Sequence, residues 1–476
     1  MVSSPDRNSA AIALSRFGLG ARPGDVEVIA ADPKGAISAE IAQRTLSMPA
    51  SPDLLPTPSL LQQLFSLYDA RNKAAQAQNL QGHAASSALV EGLPASRIPI
   101  DLSKLPNPVA RVFLAEAKAR FAGTIHEPRI GFGERLVMFF ANHFAISRAK
   151  SESVGILAGA FEREAIRPYV FGKFADMLLA VETHPAMLGY LDNQLSIGPE
   201  SVAGKASKRG LNENLARETL ELHTLGVDGG YTQADVTSLA RIITGWTITG
   251  PQGRAGVPGS FVFNAAAHEP GNQTVLTQSF RDQGFGQGQD ALLALARHPA
   301  TARHLAAKLA RHFLADDPAK SVIDRLTKAY LASDGDLSAV YTALIEAPES
   351  WAPQRGKMRS PVEFVTAILR VTGARLDPQA VLSPLDIMGQ PFWQPAQPNG
   401  YPDTAPAWAT PEGVKARLDV ANAFGHRFAE LSDPVAMAEA AYGPLMSNDT
   451  RQSILRAESR AQGLALAFMA PEFQRR

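Results

Sequence analysis

The chain has 476 residues, 45% of them apolar, and its 46 Lys and Arg are balanced by 46 Asp and Glu. That apolar content supports a large core, so we expect one continuous, enlarged α-helical domain over 1–476 with inserted excursions. The charge balance leaves no long-range field to draw in nucleic acid or an anionic membrane surface. There is no cysteine, which excludes disulfides, thiolate nucleophiles, zinc ribbons and iron–sulfur clusters, and leaves His, Asp and Glu as the ligands for any metal.

The first twenty residues carry Asp6 and Arg7, then a short amphipathic run at 10–17, with no apolar core of signal-peptide length. No window reaches the roughly 18 apolar residues needed to span a bilayer. The expectation is therefore a cytoplasmic protein, or a periplasmic one if a leader has been removed; the lack of cysteine is compatible with an oxidising compartment. Apolar residues return every three or four positions between Pro and Gly breaks, as at 60–67, 109–121 and 136–146, so helices dominate. Pro106 and Pro108 open one of them in the manner of a proline-led first turn. The stretch 70–103 is rich in Ala, Gln and Ser with little apolar patterning, and reads as a mobile loop or frayed helix. From 246 to 283 glycines and prolines recur around the alternating run Ser260, Phe261, Val262, Phe263, which reads as a hairpin excursion. The proline-rich segment 389–408 contains Trp393, Tyr401 and Trp408, too aromatic for a simple linker, and is expected to pack over the body, over a site. The fold class expected is mainly α, a large multi-helix globular domain with a small β-hairpin excursion around 246–280.

The most informative segment is 212–226, Asn-Glu-Asn-Leu-Ala-Arg-Glu-Thr-Leu-Glu-Leu-His-Thr-Leu-Gly, read as one helix ending at Gly226. At about 100° per residue, Asn214, Arg217, Glu218 and Glu221 share a stripe. Leucines and alanines flank that stripe on both sides, whereas a surface helix has one polar face. The stripe is thus expected to face a cleft or polar core, where Glu218 and Glu221 bind a divalent cation or share acid–base work and Arg217 orients them. The competing reading is a solvated ladder, Glu213–Arg217–Glu221 at i, i+4 spacing. On an ideal helix His223 lies roughly opposite Glu218, outside that group.

Three further segments carry candidates. Asn142 and His143 sit in a run, 136–146, that is apolar on every side; a buried imidazole needs a partner, which points to a metal ligand or to a polar network shared with other helices. In Glu182-Thr183-His184-Pro185, Pro185 starts a short helix that Asp192-Asn193 closes, making Asp192 a base or ligand candidate, or else a turn cap. His268-Glu269 offers a last ligand from the excursion, against the plainer expectation of a surface histidine. Thr232 with Asp235 is close to a capping box and needs no chemistry. There is no H-E-x-x-H, G-x-S-x-G or phosphate loop ending in G-K-[ST], so zincin, serine hydrolase and P-loop readings lack their signatures.

Asn142-His143-Phe144, the stretch His184-Pro185-Ala186-Met187-Leu188 running to Asp192-Asn193, and the long helix from Asn212 resemble the bacterial family called domain of unknown function 1800. The similarity extends to 298–302, 359–370 and 389–408, most of the chain. The resemblance implies a mostly helical protein of no agreed activity, from a family in which many members are exported by the twin-arginine route; this chain shows no such leader. It has Phe139 where the family pattern has tryptophan, and Glu269 where an aspartate is usual.

These readings together describe a hydrolase-type enzyme acting on polysaccharide or envelope material. Its expected catalytic residues are Glu218, Glu221, Asp192 and Arg217, with His143, Glu218, Glu221 and His268 as candidate ligands of a divalent metal. Asn142, Asn214, His184, Trp393 and Tyr401 would support the site. The expected partners are carbohydrate or another envelope protein, without nucleic acid or a membrane span. The rival is a non-catalytic scaffold or assembly factor in which the Arg, Glu, Asn and His residues form a packing network. A cavity of a few hundred Å³ lined in part by Trp393 or Tyr401 would favour the enzyme.

Overall fold

Short polar caps followed by proline cut the chain into helices. Asn107 accepts from the Val109 amide ahead of Pro108, Ser151 from Val154, Thr410 from Gly413 and Ser459 from Gln462, each satisfying a first-turn donor that would otherwise be orphaned. The expected capping box of Thr232 with Asp235 is present, and Ser360 with Glu363 forms a second one before Pro361. The computed structural model describes residues 6–49, 51–90, 107–127, 130–207, 210–375 and 377–476, of which 77–90 are described by backbone alone. The elements that matter below are α1 (Thr57–Val90), α2 (Pro108–His126), α3 (Phe132–His143), α4 (Glu152–Phe161), α5 (Asn214–Glu218), α6 (Pro299–Phe313), α7 (Pro361–Thr372), α8 (Pro411–Phe428) and α9 (Arg460–Met469). The fold is mainly α, as the periodicity indicates, and no helix among the described residues is long and apolar enough to cross a membrane.

Two details differ from the expectation. The excursion holds two antiparallel hairpins rather than one: β1 (Trp246–Ile248) pairs with β2 (Phe261–Phe263), and β3 (Gln273–Val275) with β4 (Gln278–Phe280). Trp246, fully buried against the rings of Phe261 and Phe285, anchors the first. The loop expected at 70–103 is helical to Val90, and its remainder lies outside the described residues. Ala, Gln, Lys and Leu dominate 70–90, and their helix propensity continues α1 where an apolar stripe is lacking.

Buried apolar residues form two clusters among the described residues. The larger gathers the chain from Ala10 to Ala347, with Phe132, Phe140, Phe161 and Phe174 among its fully buried rings. The smaller joins α7, α8 and α9 to Ala117, Phe121 and Ile125 of α2. Between them runs a layer of buried ion pairs. Arg120 of α2 meets Glu134 at 2.6 Å and Glu162 at 2.5 Å, Arg167 meets Glu134 at 2.5 Å, and Arg135 of α3 pairs with Glu363 of α7. Such pairs add little net stability, but removing one partner strands a charge in low dielectric, so the layer fixes how the two clusters dock.

Candidate functional site

The segment 389–404 crosses this boundary as a roof, and backbone hydrogen bonds hold it there. Asn142, near the end of α3, donates from Nδ2 to the Tyr401 carbonyl at 2.9 Å and accepts from the Tyr401 amide at 2.7 Å, mimicking one rung of a β-ladder. Such an approach requires Gly400: its φ is +76°, and a Cβ there would lie 2.4 Å from the Asn142 carbonyl. Arg148 donates to the carbonyls of Trp393 and Phe392, and the Trp393 indole donates to Glu162 at 3.2 Å. The aromatic loop therefore covers a cavity, as its composition suggested.

Under the roof lies a polar cavity of about 330 Å³, bordered by Phe139, Asn142 and His143 of α3, Lys308, Arg311 and His312 of α6, Glu363 of α7, and Tyr401 and Asp403 of the loop. His312 Nδ1 is 2.8 Å from Asp403 Oδ2. A carboxylate only accepts, so this contact keeps the proton on Nδ1 and leaves Nε2 as the basic nitrogen. Nε2 is shielded and has no hydrogen-bond partner. Burial pulls the imidazole below its ordinary value against the opposing pull of Asp403, so the ring is neutral at neutral pH. Burial alone would raise the Asp403 carboxyl, but His312, Lys357 at 3.2 Å and Arg476 outweigh it and hold the group well below the carboxylate range. Arg476 also donates to the His312 carbonyl at 2.5 Å and meets Glu363 at 3.0 Å, fixing the end of α6 from behind.

Lys308 stands apart from these matched groups. It makes no ion pair among the described residues, and burial brings its amine down from 10.5 to about 8. Arg311, one turn on, likewise has no carboxylate partner among the described residues; its Nε donates to the Asp316 carbonyl at 3.2 Å. A second, apolar cavity of about 80 Å³ adjoins the first, lined by Ala141, Ala145, Ala158, Phe161, Phe392 and Trp393 among others. Met138, Asn142, Val362, Gln390 and Tyr401 border both.

The expected residues distribute differently. The helix at 212–226 is α only over Asn214–Glu218 and then widens to a π turn, Thr219–His223. That extra residue per turn carries His223 toward the Glu218 side, contrary to the ideal-helix placement, and its charge bears on the Glu218 carboxyl. Glu218 is half-buried; burial first, then Glu221 and Glu182, raise its carboxyl above the ordinary value. Glu221 accepts from Tyr231 Oη at 3.1 Å, Arg217 pairs with Glu213 at 3.2 Å as in the ladder reading, and Asn214 is exposed. None of these four borders either cavity. Asp192, in the left-handed region at φ +58°, pairs with Lys150 at 2.7 Å.

His143 is 1% exposed and borders the polar cavity; its Nε2 donates to the His223 carbonyl at 3.1 Å while Nδ1 has no partner. His223 in turn holds Glu182 at 2.7 Å. His184 caps its own helix, accepting from the Ala186 amide on Nδ1, with Nε2 3.1 Å from Thr57 Oγ1. His298 of the second His-Pro-Ala does the same for α6. His268 is buried rather than on the surface, within 3.1 Å of the Thr244 carbonyl. Among the described residues, no group of three or more His, Asp and Glu is placed to hold a metal ion, so His143, Glu218, Glu221 and His268 do not converge.

The residues missing from the sequence reading are His312, Lys308, Arg311, Asp403 and Glu363. One signal was available: His304, Lys308, Arg311 and His312 recur at i, i+4, i+7 and i+8, a polar stripe on a helix whose other faces are apolar. Asp403 sits in the aromatic loop already singled out, but its partner lies 91 residues away, a distance that spacing does not reveal.

Comparison with curated proteins and with solved structures finds no match. The family described as protein of unknown function (DUF1800) matches residues 12–475, nearly the whole chain. The resemblance carried by the Asn-His-Phe, His-Pro-Ala-Met-Leu and 212–226 motifs is thereby borne out: the chain belongs to the DUF1800 family.

Proposed function

We propose that this protein is a hydrolase working by general acid–base catalysis in the polar cavity under the 389–404 roof, on carbohydrate or envelope material. The observation that carries the reading is the His312–Asp403 pair, with an unpartnered basic Nε2, on the wall of a cavity that also holds an uncompensated Lys308. Asp403 orients and polarises the imidazole; the imidazole takes a proton from water as its oxygen attacks the electrophilic carbon, then returns it to the departing oxygen or nitrogen. Lys308 and Arg311 stabilise the negative charge that develops in between. The aromatic roof of Phe392, Trp393 and Tyr401 supports a ring-bearing substrate. The reading needs no metal ion.

A structural role is favoured instead for Arg120, Glu134, Arg167 and Glu162, which enclose one another without lining the polar cavity. The test is hydrolysis of a panel of chromogenic glycosides, acyl esters and acyl amides by the wild type and His312→Gln. Turnover that falls at least 100-fold in the variant, with its thermal stability kept, is the expected result. Turnover unchanged in the variant would end the assignment.

A further inference from the structure

We propose that the two cavities form one bipartite site for a small acylated anion, with the anionic body against Lys308 and Arg311 and a short acyl group in the apolar cavity. The inference names a substrate class for the hydrolytic site above and rests on that reading. Continuity comes first: Met138, Asn142, Val362, Gln390 and Tyr401 border both cavities, so one ligand can occupy both. Size sets the proportions. At roughly 30 Å³ per water-sized heavy atom, the apolar cavity of about 80 Å³ takes two or three heavy atoms and the polar one of about 330 Å³ takes about ten. An acetyl or propionyl group fits the first, and an amino-acid-sized or sugar-ring-sized body fits the second.

Charge sets the sign. Glu363 is matched by Arg135 and Arg476, and Asp403 by His312 and Lys357, whereas Lys308 and Arg311 have no carboxylate partner among the described residues. The cavity therefore presents two cations that only a ligand can answer. At the junction, Gln390 accepts from the Val362 amide on Oε1 at 2.8 Å, which fixes the orientation of its amide group and leaves its NH₂ as a donor for an acyl carbonyl. Hydrolysis of such a ligand adds water across the acyl bond, giving a short carboxylic acid and the free amine or alcohol. The acyl-bearing anion can come from an amino acid or from a sugar phosphate, and the test separates these sources.

Calorimetric titrations of the wild type and of His312→Gln would use two matched trios. One is N-acetylglutamate, glutamate and N-acetylglutamine amide; the other is N-acetylglucosamine 6-phosphate, glucosamine 6-phosphate and N-acetylglucosamine. In at least one trio the acylated anion is expected to bind at least ten-fold more tightly than both of its counterparts, and which trio it is identifies the source. Lys308→Met should erase the preference for charge, and Ala158→Leu, which fills the apolar cavity, the preference for the acyl group while sparing the deacylated anion. Equal binding within both trios, or no binding in either, overturns the proposal. Selective binding to both proteins without turnover by the wild type would overturn the hydrolytic reading alone, and turnover without acyl selectivity would overturn the bipartite site alone.

Discussion

Replacing Lys308 by Met should stabilise the protein and weaken its hold on anions. Burial brings the amine from 10.5 to about 8, a lowering of about 2.5 pH units. At about 1.36 kcal/mol per unit, that is a penalty of about 3 kcal/mol, and because the side chain is partly exposed, screening reduces it to about 2 kcal/mol. The sign follows from proton counting. Below about pH 8 the amine is charged in both states and the folded state bears the whole penalty. Between 8 and 10.5 the unfolded chain holds more protons, so wild-type stability gains with rising pH until the penalty is gone. Met has a similar apolar stem and no charge, so the variant should gain about 2 kcal/mol at pH 7, and the gain should shrink steadily toward pH 10. Urea denaturation of both proteins at pH 7, 8.5 and 9.5 reads this directly. No gain at pH 7, or a gain independent of pH, would refute the picture of an unpaired, desolvated amine. A residue that lowers stability where Met would raise it is the pattern expected of a ligand-binding group.

Other perturbations test the roof and the ion layer. Asn142→Ala removes both hydrogen bonds to Tyr401 and should cost about 2 kcal/mol in chemical denaturation. Gly400→Ala, which places a Cβ against the Asn142 carbonyl at positive φ, should cost about 2 kcal/mol and weaken ligand binding with it. Arg476→Ala should cost about 3 kcal/mol or more at pH 7, since Glu363 keeps only Arg135. Burial would raise the Glu363 carboxyl, but Arg135 and Arg476 hold it well below its ordinary value, so their stabilisation is present above about pH 4.5 and lost as pH falls. Thermal melts from pH 7 down to 3 should therefore show a flatter acid limb in Arg476→Ala than in the wild type.

What the sequence disclosed follows the range of the interactions concerned. Helices, proline-led first turns, the Thr232 capping box and β2 depend on neighbours a few residues apart, and spacing alone identifies them. The roof was legible because prolines and aromatics cluster only where a loop must pack. The 212–226 helix misled for a local reason: its stripe was drawn on an ideal α repeat, and the π turn at Thr219–His223 re-aims everything after Glu218. The site itself was hidden because its pairs are long-range. His312 meets Asp403, Arg135 meets Glu363, and Asn142 meets Tyr401 across 91, 228 and 259 residues respectively. His143 and Asn142 were singled out by their buried setting, yet their partners were beyond the reach of periodicity.

The most direct measurement compares where the chemistry resides. Envelope polysaccharide and the acylated anions above would be incubated with the wild type, His312→Gln and a Glu218→Gln, Glu221→Gln double variant, with released products quantified by mass spectrometry. A site under the 389–404 roof predicts product from the wild type and the double variant, and none above background from His312→Gln. Product from His312→Gln, with loss in the double variant while its fold is intact, would contradict that assignment and return the chemistry to the carboxylates of α5 and the π turn that follows it.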